Sequence, residues 1–254
     1  GRTIWYYPEQ SALELFYKDN RMQLARWPKA DEVVDGLTGS VKTSIAGTPP
    51  GIDSFYYSND RPETWATTDE VQVWGYLIYD YVDYAYKISA LDTITKKITT
   101  TGFSEDATLH PFGAANNPSG GYKTWLSCED DGYEGGRYFY INVLEELTLP
   151  GEWYLNRSTG ILYFYPPATI QPNEVYVSGD WGPEEHTEAY EAAIILDADV
   201  FYTTLRGIKV SMVRCGGILI RGKSTTDDLA LPGSGGNNTI IDCTVANTGT
   251  YGID

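Results

Sequence analysis

The sequence predicts an all-β protein, and three observations carry that expectation. Apolar residues alternate with polar ones far more often than they recur at helical spacing, so strands outnumber helices. Composition agrees: tyrosine occurs 21 times and glycine 26 times in 254 residues, against two methionines and three cysteines, a balance of pleat-filling aromatics and turn-forming glycine. Thirdly, the C-terminal quarter repeats itself. Leu205-Arg206-Gly207-Ile208-Lys209-Val210 and Ile240-Ile241-Asp242-Cys243-Thr244-Val245 carry apolar residues at matching positions 35 residues apart, and Gly217-Ile218 falls on Gly252-Ile253 at the same offset. A short alternating strand, a small turn and a Gly-Ile opening another strand is the pattern of stacked coils in a parallel β-solenoid. The polar, Gly-rich stretch between the copies, Gly222 to Asn238, has turn chemistry and is expected to bulge from one coil as a loop.

Taken in order, Ala12–Tyr17 and Met22–Trp27 flank Lys18-Asp19-Asn20-Arg21, which predicts a β-hairpin stopped by Pro28. Residues 31 to 65 are polar and rich in Gly and Pro, with Thr48-Pro49-Pro50-Gly51 as the clearest loop. Val71-Gln72-Val73-Trp74-Gly75 begins an aromatic tract that runs through Tyr76 to Ile88 and is expected to form one or two strands with aromatic pairs across a sheet. Asp92 to Ile98 should return as the next hairpin. Ser104 to Gly136 is loop-like. Tyr138 to Leu147 follows, and then two aromatic strands joined across Arg157-Ser158-Thr159-Gly160, bounded by Pro150-Gly151 and Pro166-Pro167.

That last hairpin carries a resemblance. Pro150-Gly151-Glu152-Trp153-Tyr154-Leu155-Asn156-Arg157-Ser158-Thr159-Gly160-Ile161-Leu162-Tyr163-Phe164-Tyr165-Pro166-Pro167 resembles the PGEWYLDRKTGTLYFYPP element of secreted right-handed parallel β-helix proteins, including glycoside hydrolases of the β-xylosidase and α-1,3-galactosidase type. Leu24-Ala25-Arg26-Trp27-Pro28 and Val73-Trp74-Gly75-Tyr76 resemble two further elements of that group. The resemblance implies a jelly-roll-like β-sandwich over residues 1–180, a connector over 181–191, and the start of a right-handed parallel β-helix over 192–254. It also implies a secreted, cell-surface or periplasmic setting. The chain begins at Gly1 and stops at Asp254 where the first copy of the repeat continues, so the expectation is an early portion of a longer protein whose open helix end is covered by further coils or another chain.

The formal charge of −17 works against nucleic-acid backbones and anionic membranes, because both are bound through basic clusters. No apolar run approaches the roughly 18 residues that span a bilayer. Neutral glycans are the easier partner, as oligosaccharide or polysaccharide. Two carboxyl groups across a scissile bond are what glycoside hydrolysis needs, and none of the carboxylates Asp197, Asp199, Asp242 or Asp254 matches the family's pair. No catalytic residue is assigned, and the chain by itself is expected to be inactive. A non-catalytic carbohydrate-binding or surface protein and a polysaccharide lyase are the alternatives.

Among binding candidates, the connector Trp181, Glu184, Glu185 and His186 could line a sugar cleft, since an aromatic face suits pyranose CH groups. Trp125 has no better support. Glu129, Asp130, Asp131 and Glu134 could hold Ca²⁺, although their spacing is not that of a calcium loop and a solvated acidic turn is favoured. No other cofactor is expected. Cys128 sits among acids that disfavour a thiolate, Cys243 aligns with Ile208 as a small apolar residue, and Cys215 and Cys243 are out of step with the 35-residue offset and should not stack. His110 and His186 are too far apart in sequence to read as a zinc pair. Asn156-Arg157-Ser158 and Asn237-Asn238-Thr239 are glycosylation sequons.

Overall fold

A computed structural model describes residues 13–43, 54–79, 82–101, 136–179, 192–197, 200–221, 236–249 and 251–254. These residues are all-β. In chain order the first strands are β1 (Glu14–Tyr17), β2 (Asn20–Arg21), β3 (Gln23–Leu24), β4 (Arg26–Trp27), β5 (Val33–Val34), β6 (Leu37–Thr38), β7 (Val41–Lys42) and β8 (Ser54–Tyr56). Next come β9 (Gln72–Tyr79), β10 (Val82–Asp92), β11 (Lys97–Thr101), β12 (Arg137–Ile141), β13 (Glu152–Asn156), β14 (Ile161–Phe164) and β15 (Val175–Ser178). The last six are β16 (Ala192–Leu196), β17 (Thr204–Arg206), β18 (Lys209–Val213), β19 (Gly216–Ile220), β20 (Thr239–Ile241) and β21 (Thr244–Thr248). The chain divides into two compact units, one of Gln23–Ala168 and one formed by the segments that end at Met22 and start at Thr169.

In the Gln23–Ala168 unit, a seven-stranded sheet runs β4-β12-β9-β10-β11-β8, with β7 also on β12. All its pairings are antiparallel. The aromatic tract after Val71 supplies its two central strands, β9 and β10, and the return expected at Asp92 is made by β11. Asp92 sets that turn by accepting from Ile94 N at 2.9 Å and Thr95 Oγ1 at 2.7 Å. One face of the sheet is the core. Val73, Tyr86, Ile88, Ile98, Tyr138 and Tyr140 point into it from alternate positions, each 3% exposed or less. Aromatic edges lock the packing, with Trp65 on Tyr140 at 4.9 Å and Phe55 on Tyr138 at 5.0 Å. Such burial contributes roughly 1.5–3 kcal/mol per large side chain.

A smaller sheet, β14-β13-β3, includes the Trp153 hairpin in the register the sequence predicts, Trp153 opposite Phe164 and Asn156 opposite Ile161. Asn142 ties this sheet to the larger one. Its backbone is left-handed, φ 58°, and its buried amide donates to the Glu70 and Leu155 carbonyls while accepting from Leu155 N at 2.8 Å. No side chain without both donor and acceptor could do this.

The other unit contains the antiparallel sheet β15-β1-β2 and three parallel pairs. The N-terminal hairpin is tighter than its sequence predicts. Lys18 and Asp19, φ 48° and 63°, form a two-residue loop, Tyr17 pairs with Asn20, and the ladder is complete by Met22 N donating to Leu15 O. Two successive positive φ values match the twist of the flanking strands, so the register closes early. Gln23 to Trp27 then belongs to the first unit, as β3 beside β13 and β4 beside β12, rather than to the hairpin.

The 35-residue register of the sequence repeat is the register of the structure. Leu205 lies beside Ile240, Val210 beside Val245, and Ile218 bridges to Ile253, all in parallel. Ile194 lies beside Ile218 as well. That pair is only 24 residues apart, so the following lap of chain is about 11 residues longer, and the extra length falls around the Gly-rich insert. The corners repeat too. Tyr202 and Asn237, Gly207 and Asp242 are left-handed at the same offset, as are Met212 and Asn247 within β18 and β21, with φ between 51° and 68°. Ile218, Val210 and Leu219 fill the space between the laps. Asn238 stitches one corner, accepting from Thr203 N at 3.0 Å and donating to Val200 O at 2.9 Å.

Candidate functional site

The outward face of the seven-stranded sheet carries the candidate site. Strand alternation that sends Val73 and Gly75 inward sends Trp74 and Tyr76 out, and on β12 it sends Tyr138 and Tyr140 in and Arg137 and Phe139 out. Trp74 and Phe139 are directly opposed in the ladder, and their rings stack at 6.2 Å and 17°. Trp74 stays 37% exposed, whereas Trp27, Trp65 and Trp153 are each 7% exposed or less. Gly75 faces Tyr138 from the inner side and lets the two strands approach closely beneath the platform.

Two arginines flank the rings. The Arg26 guanidinium lies 3.7 Å from the Phe139 ring centre, and Arg137 lies 5.2 Å from that of Tyr76. Arg26 is fixed by Nε donating to Pro28 O at 2.8 Å and Nη2 donating to Gly39 O. Burial strips water from this guanidinium and lowers its pKa to about 10, with Glu152 acting weakly in the opposite direction. Thr38 and Ser40 add hydroxyls at the rim. Together these residues line an open cleft of about 380 Å³. Chemically it offers a flat apolar floor, guanidinium donors at the side and hydroxyls at the edge, a match for a flat ring with apolar faces and polar rim.

Among the described residues, no carboxylate lines this cleft. The buried carboxylates of the unit are occupied elsewhere. Glu146, 2% exposed, accepts from Arg61 Nε at 2.7 Å, Arg61 Nη2 at 3.0 Å and Trp65 Nε1 at 2.9 Å. Glu152 takes Lys29 Nζ at 2.6 Å and the Thr148 and Leu149 amides at 2.9 Å. Glu70 accepts the Arg157 and Ser158 amides. Each is satisfied by fixed donors, so these groups hold loops in place and are not poised to move protons.

Trp181, Glu184, Glu185 and His186 lie outside the described residues, as do Trp125, Cys128, His110, Asp199 and the acidic loop from Glu129 to Glu134. Asp197 is an exposed residue 3.9 Å from Arg221, and Asp242 sits at a corner 3.7 Å from Arg206. Cys243 directs its thiol at the Leu205 and Ile241 carbonyls and is not disulfide-bonded, nor is Cys215. Among the described residues, no group of three His, Cys, Asp or Glu could hold a metal ion, and no helix is long and apolar enough to cross a membrane. Sequence reasoning read Trp74 and its neighbours as cross-strand packing and missed the platform. The available signal was Trp74-Gly75-Tyr76, an aromatic pair on one face with glycine behind it.

No family model matches the chain, and no curated protein does. A solved structure titled "Glycoside hydrolase" is similar over 84% of this chain, at 12% identity and a TM-score of 0.47. The chain spans 31% of that structure's length.

Proposed function

We propose that the Trp74–Phe139 face is a carbohydrate-binding surface, carried by an extracellular or periplasmic protein whose C-terminal laps are the first coils of a parallel β-helix. The observation that supports it is the stacked, solvent-facing ring pair with guanidinium and hydroxyl groups at its edge. A pyranose ring has CH groups on its faces and hydroxyls around its rim, so an aromatic floor and polar margin complement it. The parallel 35-residue register, with left-handed corners recurring at that spacing, supports the β-helix reading.

The described residues of the cleft support binding and supply no carboxylate for cleavage. Hydrolysis of a glycosidic bond needs two carboxyl groups roughly 5–9.5 Å apart on one ligand, and the buried Glu70, Glu146 and Glu152 are held in structural hydrogen bonds. A second reading, that the whole protein is a glycoside hydrolase in which this face holds the glycan, is favoured by the parallel laps, and turnover of aryl glycosides tests it.

Affinity electrophoresis through gels containing soluble xylan, galactan, glucan or glucuronoxylan tests the binding reading. Retardation by at least one polymer is expected, and Trp74→Ala should abolish it without changing the melting temperature. Equal mobility of wild type and Trp74→Ala in every gel would sink the proposal.

A further inference from the structure

Arg26, in the wall of this cleft, is placed unlike six other arginines of the described residues. Arg21, Arg61, Arg157, Arg206, Arg214 and Arg221 each lie within 4 Å of a carboxylate. Arg26 instead has two backbone carbonyls and the Phe139 ring as partners. Its Nη1 donates to no protein group among the described residues. A guanidinium carries five N–H donors in a rigid fork, and here the two carbonyls fix the fork while leaving part of it open in a cleft that no carboxylate of the described residues lines. In a chain with 35 acidic and 18 basic residues, that is a local reversal of charge.

Resting on the reading of this face as a sugar-binding surface, we infer that its ligand is a largely neutral glycan bearing isolated uronic acid residues, whose ring lies on Trp74 and whose carboxylate meets Arg26. The Coulomb field decides between isolated and continuous charge. A net −17 opposes a polyuronide along its whole length, whereas a single carboxylate interacts chiefly with the guanidinium beside it, because charges beyond about 8 Å are screened at physiological salt. Arg26 has already lost hydration to burial and is held rigid, so little further desolvation or ordering opposes pairing with a carboxylate. Neutral sugars would leave that charge uncompensated. The ligand class predicted from composition alone, wholly neutral glycans, is therefore narrowed to neutral backbones with sparse acidic substituents.

The test pairs each probe with an uncharged twin. Uronate-bearing xylo-, galacto- and gluco-oligosaccharides are titrated calorimetrically into the protein at about 0.15 M salt, beside the same compounds with the carboxyl reduced to a primary alcohol. At least one acidic member should bind about tenfold or more tightly than its reduced twin. Arg26→Gln should remove that preference. Because Arg26 also holds two carbonyls, its variant is judged only with an unchanged melting temperature. Thr38→Glu, which sets a carboxylate at the rim of the cleft, gives the second arm: it should weaken the acidic ligand by a larger factor than its uncharged twin. Equal affinity for acid and twin, or a preference that survives both substitutions, overturns the inference and leaves the sugar-binding reading standing, provided Trp74→Ala still abolishes binding. Absence of heat with every probe, combined with no retardation in any polysaccharide gel, overturns both.

Discussion

Gly75 stands directly opposite Tyr138 in the β9–β12 ladder, and a β-carbon at that position would come 2.2 Å from the Arg137 carbonyl oxygen and 2.5 Å from the Tyr138 α-carbon. Both atoms are backbone and cannot swing away. Gly75→Ala must therefore push apart the two strands that carry Trp74 and Phe139. The expected cost is about 1–3 kcal/mol, read as a lower urea midpoint, together with loss of whatever ligand the platform binds. Trp74→Ala on the same strand should lose the ligand with little change in midpoint. If Gly75→Ala matches wild type in both measurements, the close approach of β9 and β12 is wrong.

Glu146 supports the wall around Trp65. Its carboxylate is 2% exposed and takes three hydrogen bonds, two from Arg61 and one from Trp65. Removing one partner of a buried ion pair leaves an unsatisfied group, at about 3–5 kcal/mol for a fully buried pair. Arg61 is partly exposed here, so water compensates it and Glu146→Ala should fall near or below the lower end. Glu146→Gln, which keeps an acceptor for the Trp65 Nε1–H, should lose less than Glu146→Ala in thermal unfolding. Equal losses would show that the Trp65 hydrogen bond contributes nothing.

Much of the architecture was legible in the sequence because strand signals are local. The Trp153 hairpin, the Asp92 return and the 35-residue register all follow from alternation and turn residues that lie close together in the chain. Two things were not legible for a physical reason. The Met22–Trp27 strand looks continuous, yet Gln23 and Arg26 pair with β13 and β12, strands more than 110 positions away, and no local pattern records such partners. The platform was hidden likewise: Trp74 reads as a packing aromatic until Phe139 is known to lie opposite and Tyr138 to occupy the inner face. Of the left-handed positions in the repeat, Asn237, Gly207, Asp242 and Asn247 are residue types that tolerate such backbone, but Tyr202 and Met212 are not.

Tyr202 is the exposed member of that mismatched pair, at φ 55° and 78% exposed, in the place that Asn237 takes one lap later. Its side chain contributes little packing, so the strain of a bulky left-handed residue is uncompensated. Tyr202→Asn should raise stability by about 1 kcal/mol, seen as a higher melting temperature. The reciprocal Asn237→Tyr should lower it. A fall in stability with Tyr202→Asn would mean that the ring has packing partners at that corner.

Glu14 gives the pH dependence. Burial raises its pKa above 4.5, outweighing the attraction of Arg21 and Arg214, whose nitrogens lie 3.2 Å and 3.5 Å away; the closer contact is not aligned as a hydrogen bond to Oε2. The sign follows from proton linkage. An acid whose folded pKa exceeds its unfolded value binds protons more readily when folded, so its ionisation costs stability above the folded pKa, and that cost disappears as pH falls through the folded value towards 4.5. Glu14→Gln mimics the protonated form. It should raise the unfolding midpoint at pH 7, and the difference from wild type should shrink to nothing near pH 4, where other carboxylates still titrate equally in both proteins. A Glu14→Gln protein less stable than wild type at pH 7 would mean that the two arginine pairs outweigh the burial of the carboxylate.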